Sequence, residues 1–558
     1  MKKFIYFILF LVSFQILLSQ QFSRGKNGMV VSADEYASQA GLEILKKGGN
    51  AIDAAVATGF ALAVTYPQAG NIGGGGFMVI RMNNGKSITI DFREKAPSKA
   101  FKDMFLDKDG NYDPQKSRSG HLSSGVPGSV AGLLLAQEKF GKLKLKDVMT
   151  PAIKLAKNGF KLHYRLAEHI ESMLSEFKKY PSTYKVFTKN GIPYKEGDIF
   201  KQKDLAKTLQ LILKYGKKGF YEGETAKLIV KEMEKGGGLI TLEDLKNYEA
   251  IIREPIIGNY RGYEFISMGL PSSGGIALSQ LLNIVENFPI ADWGWNSSKT
   301  IHVCSEAMKR VYADRAEYLG DPDFIKVPIN QLLSKKYAKT IASNISLEKV
   351  TPSKEVSHGV FNDWESKETT HYSVIDKDGN AVSVTTTINN SFGNYVVVEG
   401  AGFLLNNEMD DFSSKPGSPN MFGLIGSYAN SIQPNKRMLS SMTPTIIVKD
   451  GKPFMVVGSP GGSTIITTVF QVIMNVIDHK MDIQKAVNAY RFHHQWIPDV
   501  LNYEKHGIST DVIEKLKNMG YTLKEQIKAP NQVEAILIQD GYYYGASDIR
   551  GYGVAKGY

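Results

Sequence analysis

Apolar and polar residues change their spacing near residue 369. Upstream, apolar residues recur every three to four positions, the period of a helix with one buried face. An amphipathic stretch opens at Asp34-Glu35 and stops at Gly48-Gly49, and a second helix begins at Ala51-Ile52-Asp53 and runs to Pro67. The same period predicts helices over roughly 127–139, 145–158, 203–214, 224–235, 275–287 and 297–317. Between the early helices, Gly73-Gly74-Gly75-Gly76 reads as a loop almost free of side chains. It leads into two buried strands, Phe77–Arg81 and Ser87–Asp91. Downstream of Thr369 the grammar becomes hairpins. Tyr372–Ile375 and Ala381–Ile388 flank Asp376–Asn380, while Thr445–Val448 and Phe454–Val457 flank Asp450-Gly451. Ala535–Ile538 and Tyr542–Tyr544 flank Asp540-Gly541. Strands joined through Asp-Gly are strong hairpin signals. Helices grouped with antiparallel strands predict one α+β body, sheet in the middle and helices outside.

Residues 1–20 follow another rule. Lys2 and Lys3 precede the apolar run Phe4–Val12, and Ser19-Gln20-Gln21 makes a polar exit with a small residue. That layout is a cleaved signal peptide. A span needs about 20 apolar residues, and Ser13 and Gln15 interrupt this run. Export to the periplasm or medium is therefore expected rather than membrane anchoring. No cysteine stands near for lipid attachment, and no later segment is long and apolar enough to span a bilayer.

Removing residues 1–20 takes away two lysines and no acid, so the net charge falls from +11 to +9. The remaining lysines are scattered along helix-like stretches such as Lys201–Lys207 and are not interleaved with aromatic residues. They predict a solvated surface, not a nucleic-acid interface. The single cysteine, Cys304, has no disulfide partner and sits in the apolar Ile301-His302-Val303, as a buried small hydrophobe would. No CxxC or HExxH spacing occurs, so neither a metal nor another cofactor is expected.

Three local patterns carry chemistry. In Glu368-Thr369-Thr370-His371-Tyr372-Ser373 a hydroxyl residue stands where a polar stretch meets a strand. An autoprocessing nucleophile needs that position, since its freed α-amine then serves as the local base; Thr-Thr before a strand is also ordinary β-propensity. Gly458-Ser459-Pro460-Gly461-Gly462-Ser463 lies between the strand Phe454–Val457 and a helical Thr464–Ile477. Its glycines let backbone N–H groups face an anion at a helix N-terminus, as a phosphate cradle or an oxyanion hole, or form only a tight turn. No Walker lysine follows, which counts against nucleotide. Asn406-Asn407-Glu408-Met409-Asp410-Asp411-Phe412 could bind calcium, bind an ammonium group, or form a polar turn. Arg93 offers a fork that matches a carboxylate, with Arg437 and Ser440-Ser441 as ambiguous companions.

The chain resembles the γ-glutamyltransferases (glutathione hydrolases) from about Gly28 to its end. The resemblance rests on Gly49–Ala55, Gly73–Phe77, Asp91–Glu94, Gly125–Ser129, Pro271–Gly275 and Tyr312–Ala316. It continues in Thr369–Ser373, Leu404–Phe412, Pro434–Pro444, Gly458–Ser463 and Arg491–Gln495. The resemblance implies an N-terminal-nucleophile hydrolase fold, a four-layer αββα sandwich. It also implies one precursor cut between Glu368 and Thr369 into residues 21–368 and 369–558, which stay together as a heterodimer. Thr369 would be the nucleophile, Thr387 its hydroxyl partner, and Gly461 and Gly462 the oxyanion-hole amides. Arg93, Ser440 and Ser441 would hold the α-carboxylate of a γ-glutamyl group, and Asn389, Glu408 and Asp411 its α-ammonium. On a strand 381–389, Thr385, Thr387 and Asn389 would share one face. The segment Lys415–Ser427 would form a lid closed by Phe422. Glutathione and other γ-glutamyl compounds would be donors, and water, amino acids or dipeptides acceptors. A glutaryl (cephalosporin) acylase or a poly-γ-glutamate hydrolase of the same fold is the alternative.

Overall fold

A computed structural model describes residues 22–357, 370–415, 427–526 and 531–558. The expected leader 1–20, the Glu368-Thr369 junction, and Phe422 with residues 416–426 lie outside the described residues. The core strands are β1 (Phe22–Gly25), β2 (Gly28–Ser32), β3 (Gly75–Arg81), β4 (Ser87–Asp91), β5 (Ile251–Arg253), β6 (Ile256–Tyr260) and β7 (Tyr263–Ser267). They continue with β8 (Thr370–Asp376), β9 (Ala381–Thr387), β10 (Thr445–Lys449), β11 (Lys452–Gly458), β12 (Glu534–Gln539), β13 (Tyr542–Ser547) and β14 (Val554–Gly557). The helices that cover them are α1 (Glu35–Lys46), α2 (Ala51–Thr65), α3 (Ser129–Phe140), α4 (Leu145–Asn158), α5 (Gly274–Val285), α6 (Ser298–Tyr318) and α7 (Thr464–Ile477).

Two seven-stranded antiparallel sheets stack face to face. One runs β1-β13-β12-β11-β10-β7-β6, the other β14-β2-β8-β9-β3-β4-β5. Alternation along each strand builds the layers. Met29, Val31, Phe77 and Val79 face the first sheet, in a core shared with α5, α6 and α7. Their neighbours Val30, Met78 and Ile80 join Val374, Val382 and Val384 against α1 to α4. The result is the αββα sandwich expected. Every residue of α2 and of α5 is buried, as their apolar composition on all faces requires.

Local chemistry sets the boundaries. Asp34 caps α1 through Tyr36 N–H at 2.9 Å and Ala37 N–H at 3.2 Å. Asn50 and Asp53 form a capping box on α2. In the turn between β8 and β9, Asp376 accepts the N–H groups of Asp378 and Asn380 at 2.9 and 3.0 Å. Its other oxygen accepts Ala51 N–H at 2.8 Å, which ties the hairpin to the start of α2.

The division into a helix-rich and a hairpin-rich part does not separate two bodies. Each sheet combines strands from before residue 358 with strands from after 369. The structure also adds a small sheet, Phe492–His493, Leu501–Glu504 and Leu523–Gln526, that the spacing of apolar residues does not announce. Cys304 is buried, and burial raises its thiol pKa. Among the described residues no helix is long and apolar enough to cross a membrane.

Candidate active site

β8 begins at Thr370, directly after the expected nucleophile, and the ladder pairs Thr370 with Thr386 of β9. Thr387 therefore stands at the end of the ladder where the described strand starts. Of the four glycines expected as a loop, Gly75 and Gly76 already belong to β3 and pair with Thr387 and Thr386, and a Cβ on Gly74 before them would fall 1.9 Å from the Thr387 carbonyl oxygen. Only glycine permits that approach. Asn389 does not continue the strand face. Its φ is +69° and β9 ends at Thr387, so the two-residue period stops before it. Its N–H donates to Thr387 Oγ1 at 2.8 Å, and its side-chain amide donates to the Asn407 carbonyl at 3.0 Å. The turn thus joins the end of β9 to the acidic segment.

His371 points between the sheets. Its ring contacts Thr385 Oγ1 at 3.0 Å and Ser373 Oγ at 3.1 Å, and lies against Gly458 at the end of β11. Burial lowers its pKa to about 3, so the ring is neutral at ordinary pH.

β11 passes into α7 through Ser459–Ser463. Gly461 and Gly462 have φ values of +123° and +58°. Their carbonyls accept the first helical N–H groups, Thr464 at 3.2 Å and Ile465 at 2.9 Å. Among the described residues their own N–H groups donate to no hydrogen-bond acceptor. Two amides at the start of a 14-residue helix can therefore stabilise an oxyanion. Asn531 braces the loop. Its Oδ1 accepts Thr464 Oγ1 at 2.7 Å, and its Nδ2 donates to the Thr464 carbonyl at 3.2 Å and to Thr468 Oγ1. Tyr312 also donates to the Ser463 carbonyl.

The third component centres on Arg93, which follows β4. Its backbone is held by Asp91 (N–H to Oδ1, 2.9 Å) and by Tyr248 OH on its carbonyl at 2.7 Å. Asp91 is itself held by Arg253 at 2.7 Å and Arg437 at 3.3 Å, so Arg437 braces the site rather than facing it. The Arg93 guanidinium is completely buried. Nη1 donates to Glu408, Nη2 to Asp411, and Nε and Nη2 to the carbonyls of Met438 and Leu439, both at 3.2 Å. Burial opposes the charge, but Glu408, Asp411 and Glu94 more than offset it and raise the arginine pKa further.

Glu408 and Asp411 occupy a 3-10 turn, 408–411. Asn406 sets its start by accepting Gly125 and Glu408 N–H groups at 2.9 and 3.0 Å and donating to Gly73 and Gly125 carbonyls at 2.8 Å. Asn430 sets its end, donating to the Asp411 carbonyl at 2.7 Å. Asp410 points away from Arg93 and accepts Tyr112 OH at 2.7 Å and Ser117 Oγ at 2.5 Å. Ser440 and Ser441 lie beside this cluster. Ser440 is clamped by Ser273, whose N–H and Oγ donate to its carbonyl at 2.7 and 2.6 Å. Ser441 Oγ accepts Arg315 at 3.2 Å.

The structure thus gathers Arg93, Asn389, Glu408, Asp411, Ser440 and Ser441, and sets Thr387 and the Gly461-Gly462 loop at the same end of the stacked sheets. The buttresses Asn430 and Asn531 have no sequence signature as site residues, because their partners lie elsewhere in the chain. Among the described residues no group of three or more His, Cys, Asp and Glu side chains is placed to hold a metal. A buried fork beside two carboxylates suits a zwitterionic α-amino acid group.

The gamma-glutamyltranspeptidase family model matches residues 37–558. The chain is 53% identical to the glutathione hydrolase proenzyme of Escherichia coli (strain K12), over 94% of this chain and 91% of that one. In structure it is similar to cephalosporin acylase from Bacillus halodurans, with a TM-score of 0.84, 27% identity and 97% of each chain covered. It is also similar to Helicobacter pylori gamma-glutamyltranspeptidase, with a TM-score of 0.58 and 52% identity, covering 59% of this chain and 94% of that one.

Proposed function

Because the chain belongs to the gamma-glutamyltranspeptidase family, we propose that Thr369 is the nucleophile of its reaction and that each group named above has a definable part in it. The protein is an autoprocessed γ-glutamyltransferase and glutathione hydrolase. It cleaves the γ-glutamyl amide of glutathione and related compounds and passes the γ-glutamyl group to water or to amino acids and peptides.

In maturation, the Thr369 hydroxyl attacks the Glu368 carbonyl carbon. The resulting ester hydrolyses, leaving Thr369 with a free α-amine. In turnover, that amine accepts the hydroxyl proton as Thr369 Oγ attacks the γ-glutamyl carbonyl, with Thr387 as hydroxyl partner. The amides of Gly461 and Gly462 take up the negative charge on the tetrahedral carbonyl oxygen. The amide nitrogen leaves as a protonated amine, cysteinylglycine when glutathione is the donor. The γ-glutamyl ester on Thr369 is then resolved by water or an acceptor amine. The buried pairing of Arg93 with Glu408 and Asp411 carries this reading. A glutamyl α-carboxylate is met by the guanidinium with Ser440 and Ser441, and its α-ammonium by Asn389, Glu408 and Asp411. A glutaryl group has no ammonium to offer those carboxylates.

Cleavage before Thr369 would leave the two pieces interlocked. The ladders β1–β13, β2–β14, β2–β8, β3–β9 and β7–β10 would each join one piece to the other, which favours a heterodimer that does not dissociate. Residues 1–20 direct export on the same reading, to the periplasm or medium. A denaturing gel with N-terminal sequencing tests the assignment: the smaller band should begin at Thr369. A single uncut chain with full activity would defeat it.

A further inference from the structure

Three carboxylates surround one guanidinium. Glu408 and Asp411 bond Arg93 directly, while Glu94, also fully buried, comes no nearer than 3.7 Å to its Nη1. Arg93 spends its other donors on the Met438 and Leu439 carbonyls. Beyond its own N–H, no donor among the described residues serves the oxygens of Glu94, and none serves Glu408 Oε2. The carboxyl group is also walled in. A Cβ on Gly75 would lie 2.4 Å from Glu94 Oε2, and one on Gly125 would lie 3.0 Å from Glu94 Cβ. A buried carboxylate with so little hydrogen bonding is strongly disfavoured. One proton placed between Glu94 and the bare oxygen of Glu408 satisfies both.

We propose that Glu94 is a positioning residue that shares one retained proton with Glu408, holding that side chain for the substrate's ammonium. The proposal rests on reading Arg93, Glu408 and Asp411 as the glutamyl-binding cluster. The Glu408 side chain hydrogen-bonds Glu94 and lowers its pKa, while burial raises that of both groups, so the proton lies between the two acids rather than on Glu94 alone. Of the other groups that face Glu94, only Arg93 favours its ionised form. Arg93 adjoins it in sequence, Asp411 repels a second negative charge, and the buried phenols of Tyr221 and Tyr248 stay un-ionised. The four glycines bring no charge. Burial raises the pKa values of both Glu94 and Glu408, Arg93 opposing the shift in each. The shared proton is thus retained at neutral pH and lost on the alkaline side.

Glutamine reproduces a protonated glutamate in size and donor capacity, which gives the test. Hydrolysis of a γ-glutamyl anilide would be followed from pH 6 to 9.5 for the processed wild type, Glu94→Gln, Glu94→Ala and Asp411→Asn. Glu94→Gln should keep KM within about threefold of wild type at pH 7, and Glu94→Ala should raise KM tenfold or more, with smaller changes in kcat. Above neutrality the wild-type KM should climb more steeply than that of Glu94→Gln. The substrate's own amine titrates equally in both, so the difference between the two profiles is diagnostic. Should Glu94→Ala not fold, the Gln variant and its pH profile still decide. A Gln variant as impaired as a folded Ala variant, or one keeping the wild-type alkaline rise, would overturn the proposal. An unchanged KM in Asp411→Asn would instead overturn the reading of the cluster itself.

Discussion

Replacing Gly461 by alanine should damage the oxyanion loop in a way the coordinates allow to be sized. Gly461 holds φ at +123°, and a methyl group there would stand 2.1 Å from Oδ1 of Asn531. Asn531 is buried and cannot step aside without losing its bonds to Thr464 and Thr468. Losing three such neutral bonds costs about 0.5–1.5 kcal/mol each. Forcing a side chain into this backbone region adds roughly 1–3 kcal/mol. The stability loss is then about 2.5–7.5 kcal/mol, a large share of the roughly 5–15 kcal/mol that holds a domain folded. If the loop moves instead, an amide leaves the oxyanion, and one lost donor lowers kcat by about 10²–10³-fold. KM should change little, because the Arg93 cluster is untouched. The assay is steady-state hydrolysis of a γ-glutamyl anilide, normalised to processed protein on a gel, alongside urea unfolding. Asn531→Gly added to Gly461→Ala reopens the space and should recover part of both losses, a coupling read from the double-mutant cycle. Wild-type kcat in Gly461→Ala, or a loss confined to KM, would refute the reasoning.

Other outcomes follow from the same geometry. Thr369→Ala should remain one chain and be inactive; efficient maturation of that variant would remove Thr369 from the mechanism. Asp411→Ala should weaken γ-glutamyl binding far more than glutaryl binding, since truncating one partner of a buried charge pair costs roughly 3–5 kcal/mol. Equal losses in paired KM measurements would make Asp411 purely structural. The His371 pKa of about 3 lies below the ordinary value of about 6.5. The unfolded chain therefore binds the proton first, so this contribution to stability is whole above pH 6.5 and is lost as pH falls toward 3. Between pH 6.5 and 5 the loss is on the order of 2 kcal/mol. Urea midpoints for His371→Asn should fall less over that interval than those of wild type, and parallel curves would contradict the assignment.

The sequence by itself determined the long elements of the two stacked sheets and their covering helices, but not the small sheet near residues 492–526. Apolar spacing placed α1 to α7, and Asp-Gly turns placed the hairpins, because helix periodicity, caps and tight turns are local properties of neighbouring residues. It also determined the family resemblance and the residue types of the site, since an Arg, a pair of acids and a diglycine loop are visible wherever they lie. Tertiary structure decided which of them meet. Arg93 and Asp411 are 318 positions apart in the chain, and no local rule brings them together; two sheets stacked with strands interleaved from both parts of the chain do so. The turn at Asn389 escaped the strand period because its backbone enters the left-handed region once β9 ends, where an asparagine side chain and the Thr387 hydroxyl outweigh β-propensity. Asn531 and Glu94 became legible only in the fold. What marks them is the space they fill beside Gly461 and Gly75 and the donors they have or lack, and burial creates both conditions only after distant segments have packed.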